Sequence, residues 1–76
     1  MKVIVYTMPT CKWCEKVKSF LKEHHVDFEE KHIAHDPYMV QQVYQQTGQT
    51  GVPVTHIGDE WVVGYDESRL SQLLHL

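Results

Sequence analysis

Met8-Pro9-Thr10-Cys11-Lys12-Trp13-Cys14 ends an apolar run and carries both cysteines of the chain. If this stretch opens a helix, residues three apart share a face, and both sulfurs reach one S–S bond. The first sulfur then lies at the helix start. Unpaired backbone N–H groups and the positive end of the helix dipole favour a thiolate there. Cys11 is the candidate nucleophile, and Cys14 the candidate resolving thiol.

Upstream, Val3-Ile4-Val5-Tyr6 is a continuous β-branched and aromatic run, the pattern of a central strand buried on both faces. Pro9 cannot donate to a ladder, so the strand ends by Thr7, with Thr10 the expected N-cap of the helix that follows. Downstream, Val17 and Leu21, flanked by Trp13 and Phe20, recur at helical spacing opposite Lys12, Lys16, Lys22 and Glu23. This predicts a helix over Lys12 to His25.

Phe28 and Ile33 among Glu29, Glu30, Lys31 and His32 predict a charged edge strand within 27–33. Asp36-Pro37 reads as N-cap and first helical residue, and a narrow stripe of Val40, Val43 and Tyr44 stops at Gly48, giving a helix over 37–47. Val54-Thr55-His56-Ile57, Gly58-Asp59 and Trp61-Val62-Val63 read as a hairpin with a two-residue turn. Asp66 is the N-cap of a last helix that buries Leu70, Leu73 and Leu74. The order βαβαββα predicts one α/β domain over 1–76, a four-stranded mixed sheet flanked by three helices.

The 76 residues carry a formal net charge of −3 and 42% hydrophobic residues. That balance argues against disorder, and against nucleic-acid binding, because the lysines cluster only on one short helix. No run approaches membrane-spanning length, and the N-terminal apolar run is too short for a signal peptide. The expectation is a soluble, cytoplasmic, monomeric protein. In a reducing compartment a close cysteine pair reads as redox-active or metal-binding rather than as a permanent staple. An iron–sulfur cluster shared between subunits, or a zinc completed by His24, His25, His32 or His35, is the alternative use of the same cysteines. The two-residue offset of His32 and His35 is a poor zinc spacing.

Cys-x-x-Cys at the first strand-to-helix turn, with Val52-Pro53 before the third strand, resembles the thioredoxin superfamily and within it the glutaredoxin family. Val5-Tyr6-Thr7, Pro9-Thr10-Cys11-Lys12-Trp13-Cys14, Thr47-Gly48, Val52-Pro53 and Gly64-Tyr65-Asp66 carry the resemblance across nearly the whole chain. It implies a thioredoxin-like fold and disulfide reduction through Cys11 and Cys14, with no tightly bound cofactor. It also implies a cis bond before Pro53, which faces the sulfurs, and a Val52 backbone free to pair with a peptide or with glutathione. Lys12, Trp13, Gly64, Tyr65 and Asp66 complete the implied substrate or glutathione site.

Four departures stand against that pattern. Met8 takes the place of a family Lys or Arg, Lys12-Trp13 of Pro-Tyr, Gly51 of Thr, and Val63 of Gly. Losing a cation and small or hydroxyl-bearing positions predicts a weakened glutathione pocket. Gly64-Tyr65-Asp66 also resembles the Gly-Phe segment of the redoxins that serve ribonucleotide reductase and draw electrons from thioredoxin reductase. Disulfide-bearing proteins are the expected partners, and glutathione or a thioredoxin-reductase system the expected donor.

Overall fold

A computed structural model describes residues 2–49 and 51–76. Its elements follow the expected order: β1 (Val3–Thr7), α1 (Lys12–Glu23), β2 (Glu29–His32), α2 (Pro37–Thr47), β3 (Val54–Ile57), β4 (Glu60–Val63) and α3 (Glu67–Leu74). They build a thioredoxin-like fold around one sheet of order β2-β1-β3-β4. β1 pairs in parallel with β2 and antiparallel with β3, and β3 pairs antiparallel with β4. β1 is therefore central and the charged β2 is an edge, where its polar side chains discourage pairing with another chain.

Strand alternation sorts the core into two layers. Val3 and Val5 of β1, Ile57 of β3 and Val62 of β4 pack with Val17, Phe20 and Leu21 of α1 and Leu70 of α3. On the opposite face Tyr6 and Val54 pack with Ile33 and with Val43 of α2, and Met8, Met39, Val40 and Trp61 close the edges. Leu21 and Leu70 have no exposed surface, so truncating either to Ala is expected to cost about 2–5 kcal/mol.

Differences from the sequence reading lie at helix and strand ends. The cap of α1 is Cys11, not Thr10, whose φ of 57° puts it in the left-handed region. α1 stops at Glu23 rather than His25, because His25 turns left-handed at φ 57°. The His25 and Val26 N–H groups then close back on Lys22 and Leu21 carbonyls at 3.1 and 2.9 Å, a Schellman ending. β2 is confined to Glu29–His32, as long as its pairing with Ile4–Thr7. No helix among the described residues is long and apolar enough to cross a membrane.

Candidate active site

The register gathers the site. Tyr6 pairs with Val54 and Val54 with Val63, so the end of β1, the start of β3 and the end of β4 lie together at one end of the sheet. The segments continuing from those points are the Cys11 turn, Val52-Pro53 and Gly64-Tyr65. Val52–Pro53 is cis, and the Gly64 N–H donates to the Pro53 carbonyl at 2.8 Å, joining two of the segments. Gly64 has φ 76°, a conformation that suits glycine because any β-carbon there is strained.

Both cysteines are free thiols; Cys11 is partly exposed and Cys14 buried. The Cys14 backbone N–H donates to Cys11 Sγ at 3.2 Å, so the sulfur occupies the place of an N-cap oxygen. The sulfur is thereby fixed at the helix start, on the solvent side of the buried Cys14. Burial pushes the Cys14 thiol up from 9.0 to about 11, with the hydrogen bond to Cys11 adding to it. The Met8 backbone and Lys18 act in the opposite direction. At neutral pH the second sulfur is held as a thiol.

Trp13, Val52, Pro53, Gly64 and Tyr65 line an open cavity of about 310 Å³. Trp13 is 57% exposed, and its ring lies 6.2 Å from that of Tyr65, with Lys16 Nζ 5.5 Å from the indole centroid. The Tyr65 hydroxyl donates to Glu67. Among the described residues no charged side chain lines this cavity, so its walls suit neutral and apolar groups. Lys12 lies elsewhere, bordering a second depression of about 300 Å³ with Thr10, Cys11 and Glu15. Asp66 caps α3, its Oδ1 accepting from the Arg69 N–H at 3.1 Å. With Glu67 beside it in the first turn, that helix start carries negative charge and is a poor seat for an anion. Met8, where the family pattern has a cation, packs against the apolar layer beneath α2.

Three residues beside the cysteines escaped sequence reading. Thr7, at the end of β1, is buried and its hydroxyl donates to Glu30 Oε2 of β2 at 2.9 Å. Lys18 Nζ donates to the same oxygen at 2.9 Å and pairs with Glu15 Oε1 at 2.9 Å. The Glu30 hydrogen bond raises the Lys18 pKa, and the same bond lowers that of Glu30. Spacing offered one clue, since Lys18 stands four residues after Cys14 on the same helix face. Among the described residues, no cluster of three or more His, Cys, Asp or Glu side chains comes together to hold a metal.

A family model described as Glutaredoxin matches residues 3–62. An uncharacterized glutaredoxin-like 8.6 kDa protein in the rubredoxin operon of Clostridium pasteurianum is 33% identical over 70 residues, 92% of this chain and 93% of that one. The glutaredoxin-like protein NrdH of Lactococcus lactis subsp. lactis is 34% identical over 71 residues, 93% of this chain and 97% of that one. The crystal structure of a glutaredoxin from Archaeoglobus fulgidus superposes with a TM-score of 0.88 at 32% identity, covering 99% of this chain and 87% of that one. The chain spans half or less of the length of five longer curated relatives that it also matches. With this sheet order, a Cys-x-x-Cys at the first helix start and a family match over most of its length, the chain belongs to the glutaredoxin family of thiol oxidoreductases.

Proposed function

We propose that the protein is a disulfide reductase for protein substrates, with Cys11 as nucleophile and Cys14 as resolving thiol. The Cys14 N–H aimed at the partly exposed Cys11 sulfur at 3.2 Å carries this reading, because it seats one sulfur at the helix start within reach of substrate while the other is buried. The Cys11 thiolate attacks one sulfur of the substrate disulfide and expels the other as a thiolate, which takes a proton from water. Cys14 then loses its proton to solvent and attacks Cys11. The Cys11–Cys14 bond forms, the mixed disulfide breaks, and the substrate leaves with both sulfurs reduced. Two electrons have moved, and a donor must return them.

The substrate chain lies along the Val52 backbone, its side chain beside the disulfide resting between Trp13 and Tyr65. Pro53 and Gly64 shape the floor of that cavity, while Lys12 and Asp66 act from outside it. This is the chemistry of a monomeric, single-domain protein in a reducing cytoplasm.

The donor follows from charge. Glutathione carries two carboxylates, and each charge-assisted hydrogen bond to them contributes about 1.5–3 kcal/mol. Among the described residues the cavity has no cation in its walls, Lys16 stands over Trp13, and Asp66 and Glu67 oppose an anion at the α3 start. One lost contact of this kind weakens a site roughly ten- to a hundred-fold. Thioredoxin reductase, which serves the redoxins that Gly64-Tyr65-Asp66 resembles, makes no such demand. Insulin reduction run side by side with NADPH and thioredoxin reductase, and with glutathione and glutathione reductase, is expected to favour the first, and Met8→Lys to raise the second. Fast glutathione-coupled turnover with none from thioredoxin reductase would overturn the donor assignment.

A further inference from the structure

Once Cys11 is tied to substrate, the reaction still needs Cys14 to become a thiolate inside the core. Lys18 stands one helical turn beyond Cys14 on the same face of α1, and its ammonium is not free to swing into solvent: its side chain is 15% exposed and bonded to Glu30 and Glu15, each at 2.9 Å. Glu30 is itself anchored by the buried Thr7 hydroxyl at 2.9 Å, on the strand that leads into the Cys11 turn. His32 completes the cluster, with Nε2 3.5 Å from Glu30 Oε2 and Nδ1 3.2 Å from Thr7 Oγ1. Two elements, β1 and β2, are thus committed to holding one cation against the helix turn that bears the second cysteine.

We propose that Lys18, held in place by Glu30 and Thr7, is the positioning residue for the resolving step, stabilising the Cys14 thiolate that attacks the mixed disulfide. The proposal rests on the roles given above to Cys11 and Cys14. The charge bookkeeping of the two steps explains why the cation matters in the second. In the free dithiol, Cys11 accounts for part of the rise in the Cys14 pKa, through its hydrogen bond and its negative charge. In the mixed disulfide Cys11 carries no charge and both contributions disappear. What remains is burial on one side, and the Met8 backbone hydrogen bond and Lys18 on the other. Lys18 is then the charged side chain left to favour the thiolate, with Glu15 on α1 and Glu30 and His32 on β2 reaching Cys14 through it. The arrangement keeps Cys14 protonated while Cys11 is the nucleophile and releases it when Cys11 has reacted. The proton goes to solvent, the Cys11–Cys14 bond forms and the Cys11–substrate bond breaks, with the substrate thiolate taking up a proton.

A fluorescein-labelled cysteine peptide activated as its thionitrobenzoate disulfide separates the two steps in a stopped-flow experiment. Attack by Cys11 on the peptide sulfur releases the coloured thiolate, and attack by Cys14 releases the labelled peptide. In Lys18→Met the first signal is expected within about twofold of the parent. The second should slow about tenfold at pH 7, with its pH midpoint raised by about one unit, since one unit of pKa is a tenfold change in thiolate. Lys18→Arg should restore both rate and midpoint, and Glu30→Gln, which frees the ammonium, should give an intermediate shift. A purely structural ion pair would lower the melting temperature of Lys18→Met and leave the midpoint where it was. That result, or failure of Lys18→Arg to rescue, overturns the proposal. Cys14→Ser is the control for the underlying reading. It should hold the labelled peptide on Cys11, and rapid peptide release from it would overturn both the resolving role of Cys14 and the role of Lys18.

Discussion

Helices α1 and α2 lie on opposite faces of the same sheet and are built by different rules at their ends. α2 uses the residues that stabilise helices: Asp36 accepts from the Met39 N–H at 3.1 Å, Pro37 is the first helical residue, and Gly48 ends it at φ 74°. α1 uses a cysteine sulfur where α2 has a carboxylate, and ends with a left-handed His25 one residue past its cap where α2 has a left-handed glycine at the cap. A sulfur is a weaker acceptor than an oxygen, so the start of α1 gives up helix stability. It gains a partly exposed sulfur seated against the Cys14 N–H, the sulfur proposed above as the nucleophile. The contrast separates a helix placed for chemistry from one placed for cover.

The sharpest way to break the comparison is to give α1 the cap of α2. Cys11→Asp should stabilise the start of α1, by up to about 1 kcal/mol, because an aspartate oxygen replaces the sulfur as acceptor and its charge suits the helix dipole. Disulfide reduction should fall to background. Thermal melting and the insulin assay on the same preparation check both halves. If activity survives, or the variant melts lower, Cys11 is not a cap that sacrifices stability for reactivity.

The same contrast explains how far the sequence could be read. Asp36-Pro37 and Gly48 are punctuation with one meaning, and the limits of α2 were legible to the residue. Thr10 looked like a cap because threonine oxygens usually cap, whereas a cysteine in that role is rare, and here chemistry overrode propensity. α1 ends two residues before the sequence pattern places its end, since a histidine in a Schellman ending carries no local signal that a glycine would. The neutral cavity was legible in parts: Trp13, Val52, Pro53, Gly64 and Tyr65 line it, whereas Lys12, adjacent in sequence to Trp13, borders another depression and Asp66, adjacent to Tyr65, caps α3. The Thr7–Glu30–Lys18 cluster was not legible. Its members lie on β1, β2 and α1, and only the parallel pairing of β1 with β2 brings them together. Glu30 read as one more edge-strand charge.

A smaller effect comes from removing the cap of α2. Asp36→Ala leaves the Met39 N–H without its side-chain acceptor and should cost about 1 kcal/mol. In a domain of this size that is about 4–8 °C in melting temperature. Asp36 lies on the opposite face of the sheet from α1, so both steps of disulfide exchange should keep the parent rates. A matching loss of activity would show that α2 is coupled to the Cys11 turn and is more than cover.

The smallest expected effect is at the other end of α1, where the comparison predicts a gain. His25, one residue past the His24 cap of α1, is left-handed at φ 57°, as Gly48 is at the cap of α2 at φ 74°, and a left-handed residue with a β-carbon costs about 1–2 kcal/mol relative to its right-handed form. Glycine avoids that cost but loses more chain entropy on folding, which offsets part of the gain. His25→Gly should therefore raise stability by about 0.5 kcal/mol, a few degrees in melting temperature. The His25 side chain is exposed and its N–H bond to Lys22 is a backbone contact that glycine keeps, so little else changes. The reverse exchange, Gly48→Ala, isolates the backbone cost, since a β-carbon there meets nothing within 4 Å. Urea melts of the two variants should move in opposite directions from the parent. If His25→Gly melts lower than the parent, the histidine side chain contributes to the end of α1, and the left-handed backbone is not what limits the stability of that end.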